Sequence, residues 1–582
     1  MRGLVLFPLG ALLGSSLATN HVVHERRHKA IDHQWDKREQ LHKDEVLPIR
    51  IGLKQSNLEH ADRWLMEVSD PNSSKFGKHW TAEEVLHAFK PSHETVQAVH
   101  SWLNESGIHP DRHQLSTGLG WLQFDASVDE AERLFQTTYH VFEHRKSSTA
   151  HIAFPGNSLG IVEYTPESYL GSDLDLFFET YERDLVGKRP VLDSIDGGYL
   201  YDTEFNDTNA FTYLGEPSLD LQYAMALVDQ QEVTLYQVGD LAESNMTSFN
   251  NFLDAIDASY CTYDGGDDQE IDAVYPDPYP GPHSYQGKED CGTFQAAKVI
   301  STSYAYNEVE LPAAYEIRQC HEYLKLGLMG STIVYSSGDY GVEFDGGGCL
   351  NPDGSQNDGT SGAFVPTFPG TCPYVLAAGA TQIKNGTYNV DKAIRDDKQV
   401  EVVMELYLVD GAYVGNDVPP GADVFNKTIF SSSGGFSNVF PIPSYQQHAV
   451  REYMEKYAPD YPGQYNNTGM VRGFPDIAAN GAWYSIAVFG ELSQAFGTSC
   501  AAPVISALLT IINGERMRRG KGSIGFINPV LYSHPHVLKD VVEGQNPGCG
   551  TNGFSAVPGW DPTTGLGTPN FPKMLELFLS LP

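Results

Sequence analysis

A chain of 582 residues, 41% of them hydrophobic, can hold one large domain and a substantial second one, and burying a core is no difficulty. The net charge of −37 argues against a nucleic-acid partner, since phosphate backbones attract clusters of Lys and Arg. Such a balance suits work in acid, where partial protonation of carboxylates relieves self-repulsion.

Met1 to Ala18 carries one early positive charge at Arg2, an apolar stretch from Leu4 to Leu13, and small residues at Ser16 and Ala18. This is the pattern of a secretory signal cleaved after Ala18, so the expected location is extracellular. The apolar run is too short to anchor, and no later stretch approaches the roughly 20 apolar residues of a membrane span.

Residues 19–190 differ in kind from the rest. They hold no cysteine, 15 of the 20 histidines, and with the signal a net charge of only −7, against −30 for residues 191–582. Leu47 to Leu53 predicts a strand, and Asn57 to Ser69 a helix with Leu58, Ala61, Leu65 and Val68 on one face. Thr81 and Glu84 form a capping-box pattern. Ser92 to Asn104 predicts another helix and Leu119 to Phe124 another strand, which together make an α+β domain. Gly187-Lys188-Arg189-Pro190 is a linker whose dibasic pair invites processing, although Pro190 hinders many dibasic-cutting peptidases, and autocatalytic cleavage in acid is the alternative. At pH 4 to 5 histidines with ordinary pKa values near 6.5 become cationic, a route to detaching this domain, although His also serves simply as a polar surface residue.

Beyond residue 190 the pattern turns to strand and helix in alternation. Glu216 to Met225 starts a helix with Pro217 in its first turn, so that Glu216 and Asp220, four apart, face the same way. The runs 226–228, 233–238, 299–304 and 331–336 are apolar or β-branched, and Leu311 to Leu328 predicts a helix. This is the alternation of a parallel α/β sheet flanked by helices. Ser336-Ser337-Gly338-Asp339 follows one of those strands, where open α/β sheets place ligands, although taken alone Asp339 reads as a turn residue. The seven cysteines lie between Cys261 and Cys549, and in a secreted chain they imply disulfides. The odd thiol is assigned to Cys500 and one bridge to Cys261 with Cys291; the other pairings stay open. Sequons at Asn72, Asn104, Asn206, Asn245, Asn385, Asn426 and Asn466 fit glycosylated loops.

Phe496-Gly497-Thr498-Ser499-Cys500-Ala501-Ala502-Pro503 is a tight turn that lifts Ser499 from the start of an apolar helix. Gly497 leaves room for substrate backbone, and the helix N-terminus favours developing negative charge. A serine nucleophile needs a base. Only five histidines follow residue 190, none in a His-Gly-Thr setting, and in acid a histidine base is protonated. A carboxylate matches those conditions, which selects Glu216, with Asp220 orienting it and sharing its proton. Asp339, protonated, would donate to the oxyanion together with the Ser499 amide.

Glu-x-x-x-Asp followed by Leu-Gln-Tyr, then Ser-Ser-Gly-Asp, then Gly-Thr-Ser-x-x-x-Pro, in this order, closely resemble the sedolisin family of serine-carboxyl peptidases, acid-acting relatives of the subtilisins. The resemblance implies Glu216 as base, Asp220 as its orienter, Asp339 as oxyanion residue and Ser499 as nucleophile. Arg472 to Asp476 and Gly434 to Ser437 also resemble family segments, whereas Ser433 and Ala305 stand where glycine is usual. Phe76 to Val85 resembles a signature of the family's activation domain, which implies a propeptide over about residues 40–180 that chaperones folding and masks the site. The stretches 540–544 and 554–567 resemble the family's calcium site, implying one structural calcium on Asp540, Asp561 and the carbonyls of Val541, Val557 and Gly559.

The expectation is therefore a secreted zymogen: signal peptide 1–18, activation propeptide 19–190, and a subtilisin-like α/β catalytic domain 191–582. It would hydrolyse peptides in acid through an acyl-enzyme on Ser499, as a monomer, with peptide and protein substrates, its own propeptide as inhibitor, and neither nucleic acid nor membrane as partner. Release of tripeptides from free N-termini is the favoured activity, although no amine-capturing carboxylate is identified. An endopeptidase with the same residues, and a catalytically silent binding protein on this fold, are the rival readings.

Overall fold

The computed structural model describes residues 36–40, 42–44, 46–115, 120–135, 140–143, 157–200, 210–228, 231–243, 248–257, 271–278, 280–384, 400–409, 412–414 and 428–582. The signal segment, Cys261 and the sequons at Asn206, Asn245, Asn385 and Asn426 lie outside the described residues. Backbone contacts divide the chain into two units, Met1–Ile49 with Asp125–His144, and Arg50–Phe124 with Arg145–Pro582. In the first, Asp36–Gln40 pairs antiparallel with His140–Glu143, and a short helix, Val128–Phe135, buries Val128, Ala131 and Leu134.

The second unit is built on an eight-stranded sheet. Its strands are β1 (Leu159–Tyr164), β2 (Val191–Ile195), β3 (Val233–Val238), β4 (Val299–Thr302), β5 (Thr332–Ser336), β6 (Leu376–Ile383), β7 (Glu401–Val403) and β8 (Ile477–Asn480). The order is β7-β6-β5-β4-β1-β3-β2 with β8 beside β6, and every pairing is parallel except that of β7. Parallel strands need cover on both faces, and their near-continuous apolar sequence supplies it. Leu159, Ile161, Val299 and Val334 pack on one side with Ile505, Leu509 and Ile512. On the other, Val162, Ile300, Ile333 and Tyr335 pack with Phe252 and Tyr323. Full burial of each such aliphatic side chain contributes about 1.5–3 kcal/mol.

The helices of this unit are α1 (Leu58–Ser69), α2 (Ala82–Phe89), α3 (His93–Glu105), α4 (Gly171–Tyr181), α5 (Ala210–Val228), α6 (Phe249–Ile256), α7 (Ala313–Leu328) and α8 (Ala501–Arg518). The capping box at α2 forms as expected: Thr81 accepts from the Glu84 amide while the Glu84 side chain returns to the Thr81 amide. Helix α5 departs from expectation at both ends. It begins at Ala210, so Pro217 is interior, and it runs through 226–228, which the sequence suggests as a strand. Pro217 has no N–H for the carbonyl of Tyr213, and that carbonyl instead accepts the amide of Ser168, at 2.9 Å. A tertiary contact thus repairs the proline defect.

Strand β1 lies between β3 and β4 at the centre of the sheet. The linker at Gly187–Pro190 therefore does not separate two cores, since β1 and α4 precede it yet belong to this sheet and its packing. Arg189 is itself tied to Asp175 by a paired contact of 2.7 and 2.9 Å.

Helices α1 and α2 lie over α7, with Leu65, Val68, Val85 and Phe89 packed on Leu324, Leu328 and Phe526. Between them the Trp80 amide donates to the Leu328 carbonyl, at 2.7 Å. The His79 ring sits tight against Gly330 and Gly525, positions where a Cβ would come within 2.5 and 2.4 Å of the imidazole. Disulfides join Cys320 to Cys372 and Cys349 to Cys549, Cys291 is also bonded, and Cys500 is free and buried, as expected.

Candidate active site

Helices α5 and α8 pack side by side, which carries Glu216 and Asp220 to the turn that precedes α8. That turn is a 3-10 step, Thr498–Cys500, entered through Gly497 at φ 131°. A Cβ on Gly497 would lie 2.4 Å from Asp339 Oδ2, so glycine there is a steric requirement of the site. Ser499 is 8% exposed, and its Oγ donates to the Ser303 carbonyl across a long 3.4 Å.

The three carboxyls expected from the sequence surround this serine. Asp220 is fully buried; its Oδ2 accepts from Ser303 Oγ at 2.8 Å and its Oδ1 has no hydrogen-bond partner. Burial pushes Asp220 up to about 8, the Ser303 hydrogen bond opposing. Glu216 is raised well above the usual range by burial first and then by the charges of Asp220 and Glu167, while the nearby hydroxyl of Ser499 pulls the other way. Asp339 follows β5, and its Oδ1 accepts both the amide and the hydroxyl of Thr498, at 2.6 and 2.9 Å. Burial lifts Asp339 to about 6 even against those two donors. A cleft of about 170 Å³ opens over the group, lined among others by Ser303, Tyr304, Asp339, Ser433 and Ser499.

Sequence reasoning missed three members of this neighbourhood. Glu163 is fully buried on β1, and its electrostatic neighbours are Asp220 and Glu216. Glu167, just beyond β1, and Tyr304, after β4, complete it: Tyr304 Oη lies 2.8 Å from Oε2 of Glu163 and 2.8 Å from Oε2 of Glu167. One signal was available, a glutamate inside the apolar strand Leu-Gly-Ile-Val-Glu-Tyr, where a charge is rare unless it is used. The segment Arg472 to Asp476 has a supporting role. The Arg472 guanidinium grips Asp476 through two contacts of 2.7 Å, and Asp476 Oδ2 accepts the amide of Ala377 on β6. Ser433, where glycine is usual in the family, faces the cleft and accepts the Tyr340 amide on its Oγ.

The loop residues expected to hold a cation also converge. Asp540 Oδ2 accepts the amide of Gly559, and Asp540 Oδ1 is buried with no partner. Asp561 is fully buried and accepts amides from Val557, Thr563 and Thr564. Among the described residues the carbonyls of Val541, Val557 and Gly559 accept no hydrogen bond. A buried carboxylate oxygen without a donor, beside free carbonyls, is an oxygen set that fits a hard cation.

The pro-kumamolisin activation domain matches residues 33–160, ending at the start of β1. Over 98% of both chains the protein is 36% identical to tripeptidyl-peptidase SED1 of Arthroderma otae and 38% identical to aorsin of Aspergillus oryzae. The chain belongs to the sedolisin family. As a sedolisin it is a serine-type peptidase made as a zymogen. Tripeptidyl-peptidase sed1 of Aspergillus fumigatus is similar to the same extent, 36% over 98% of both chains. No helix among the described residues of this sedolisin is long and apolar enough to cross a membrane.

Proposed function

We propose that the protein is a secreted, acid-acting tripeptidyl-peptidase in which Ser499, Glu216, Asp220 and Asp339 carry the reaction. The observation that supports this most is the convergence of three buried carboxyls with raised pKa values on one serine. A histidine would be cationic in acid, whereas a carboxyl pair that shares a proton keeps one ionised member as base. Glu216 takes the Ser499 proton as Oγ attacks the scissile carbonyl, and Asp220 holds Glu216 in place. The oxyanion receives hydrogen bonds from the Ser499 amide and from protonated Asp339. Because Asp339 Oδ1 is committed to Thr498, the proton resides on Oδ2. Glu216 then protonates the leaving amine and the C–N bond breaks; water, deprotonated by Glu216, attacks the acyl carbon, and Glu216 returns that proton to Ser499 Oγ as the ester C–O bond breaks.

The tripeptidyl assignment rests on the two named relatives and on the cleft wall. Glu343 and Asp345 line the same cleft as Ser499, and they supply carboxyl groups for a free amine that sequence reasoning had not identified. The activation domain is proposed to end before Ser158, because β1 is integral to the sheet. One calcium is proposed on Asp540, Asp561 and the carbonyls of Val541, Val557 and Gly559, where it would hold the loop after Lys539 to the 557–561 turn.

The test is mass spectrometry of a long peptide, free or acetylated at its N-terminus, incubated near pH 4 with acid-processed protein and with Ser499→Ala. Successive tripeptides from the free form alone are expected. Internal cuts in both forms would replace the reading with an endopeptidase, and hydrolysis by Ser499→Ala would overturn it.

A further inference from the structure

Tyr304 has one hydroxyl hydrogen and two carboxyl neighbours. Its Oη is 2.8 Å from Glu163 Oε2 and 2.8 Å from Glu167 Oε2, and the hydroxyl can donate to only one of them. The second contact is a hydrogen bond only if that carboxyl carries a proton of its own and donates it to Oη; without one, two oxygen lone pairs would face each other at contact distance. The geometry therefore fixes a minimum proton count of one on the Glu163 and Glu167 pair.

The two glutamates are not equivalent in place. Glu163 is fully enclosed, whereas Glu167 is partly exposed at the turn after β1. Its backbone carbonyl accepts Gln237 Nε2 at 2.8 Å, which fixes that turn to β3. Among the described residues the titratable groups that face Glu167 are Tyr304 after β4, Glu163 on β1, and Glu216 and Asp220 on α5, and none of these is a cation. An ionised Glu167 thus adds its charge directly to the pair assigned as base and orienter, while the enclosed Glu163, raised well above the usual range by burial, keeps the one proton that the Tyr304 bridge requires.

We propose that Glu167 is a positioning residue for the Glu216 and Asp220 pair: it shares a proton with Glu163 across the Tyr304 hydroxyl and connects the buried acid cluster to solvent. In acid Glu167 is neutral and the bridge is closed. Burial raises Glu167 to about 7, so it ionises as pH climbs toward neutrality, with Glu163 donating to Tyr304 and Tyr304 donating to Glu167, and the new charge beside Glu216 and Asp220 lowers activity. This rests on Glu216 and Asp220 being the catalytic pair.

The experiment is the pH dependence of kcat and KM for acid-processed Glu167→Gln, Tyr304→Phe and the double variant. Gln keeps the shape and donates to Oη without titrating. The expected result for Glu167→Gln is a KM within about twofold of the parent and an alkaline limb of kcat displaced upward by about half a pH unit or more. Tyr304→Phe removes the hydroxyl that donates to ionised Glu167, so it should itself displace the limb upward, and adding Glu167→Gln to it should displace the limb less than it does in the parent. A Glu167→Gln profile that superimposes on the parent, or a limb shift undiminished in the Tyr304→Phe background, overturns the proposal. If Glu167→Gln does not fold, Tyr304→Phe alone decides: an alkaline limb unchanged from the parent overturns the proposal, and a shifted one supports it. An active Glu216→Gln would instead remove the catalytic reading itself.

Discussion

His79, beneath α1 and α2, and the carboxyls beneath Ser499 are both buried titratable groups, and acid acts on them in opposite directions. His79 is held neutral: burial pushes it down to about 4, with Lys298 and Arg516 adding to the effect, and its Nε2 has no partner. The layer it anchors is strongest at neutral pH and weakens as protons arrive. The acid cluster is pushed toward its protonated forms by the same loss of solvent, with Asp339 up to about 6 and Asp220 up to about 8, so that Asp339 carries its proton in acid while the Glu216 and Asp220 pair shares one. Lowering the pH supplies what that cluster needs. One chemical change is therefore expected to weaken the helical cover over α7 and to favour the site below Ser499, although the two places share no residue.

The largest effect expected from breaking this contrast is on the catalytic side. Asp339→Ala removes an oxyanion donor and should lower kcat by about 100- to 1000-fold in single-turnover assays near pH 4. Asp339→Asn keeps a donor that does not titrate. In the parent, protonated Asp339 is lost as pH rises through about 6, so the Asn variant should retain relatively more of its acid activity at pH 7.

His79→Phe tests the other side, since a ring of similar size fills the space against Gly330 and Gly525. The folded-state pKa lies below the unfolded value, so the His79 contribution is complete above about 6.5 and is lost as pH falls toward 4, about 3 kcal/mol in all. Denaturant unfolding of the Ser499→Ala zymogen at pH 7 and pH 4 should show that difference shrinking by about this amount in His79→Phe. An unchanged difference would show that His79 does not set the acid sensitivity of the fold.

Glu316 sharpens the comparison, because it lies on α7 itself and has the opposite sign. It is fully buried with neither carboxyl oxygen partnered, and burial, with Glu308 adding to it, raises it to about 10. Its raised value gives full stability below about 4.5, which is lost as pH rises, about 3 kcal/mol by pH 7. Glu316→Gln should therefore gain stability at pH 7 and change little at pH 4 in the same unfolding experiment.

The smallest effect is expected at His100 and His113, whose Nδ1 atoms lie 2.9 Å apart and need a single proton between them. Burial and the neighbouring His100 lower His113, so acid adds a second proton and opens the contact. His113→Phe should reduce the acid sensitivity of the zymogen less than His79→Phe does.

Much of the chemistry is local in sequence, and so it was legible there. Gly497 before Ser499, the one-turn spacing of Glu216 and Asp220, and Asp339 after a strand are each set within a few residues by turn and helix geometry. The capping box of Thr81 and Glu84 and the helix 58–69 follow from the same short-range rules. The histidine bias of residues 19–190 was visible too, but composition could not say which histidine loses its water. That depends on Gly330 and Gly525, more than 200 residues away, and only the tertiary structure brings them to His79.

The same distinction runs through the acid cluster. Periodicity cannot place β1 at the centre of the sheet, since strand order is a matter of long-range pairing, and without that placement Glu163 and Glu167 are ordinary acids of a preceding segment. The interior Pro217 was misread for a related reason: its missing hydrogen bond is compensated by Ser168, a residue far from it in sequence. The sequence by itself determined the candidate nucleophile, its proposed acid partners and the local turns and helices that present them. The tertiary structure decided which carboxyls lose their solvent and which hydroxyls stand between them, because desolvation is a property of everything packed around a group.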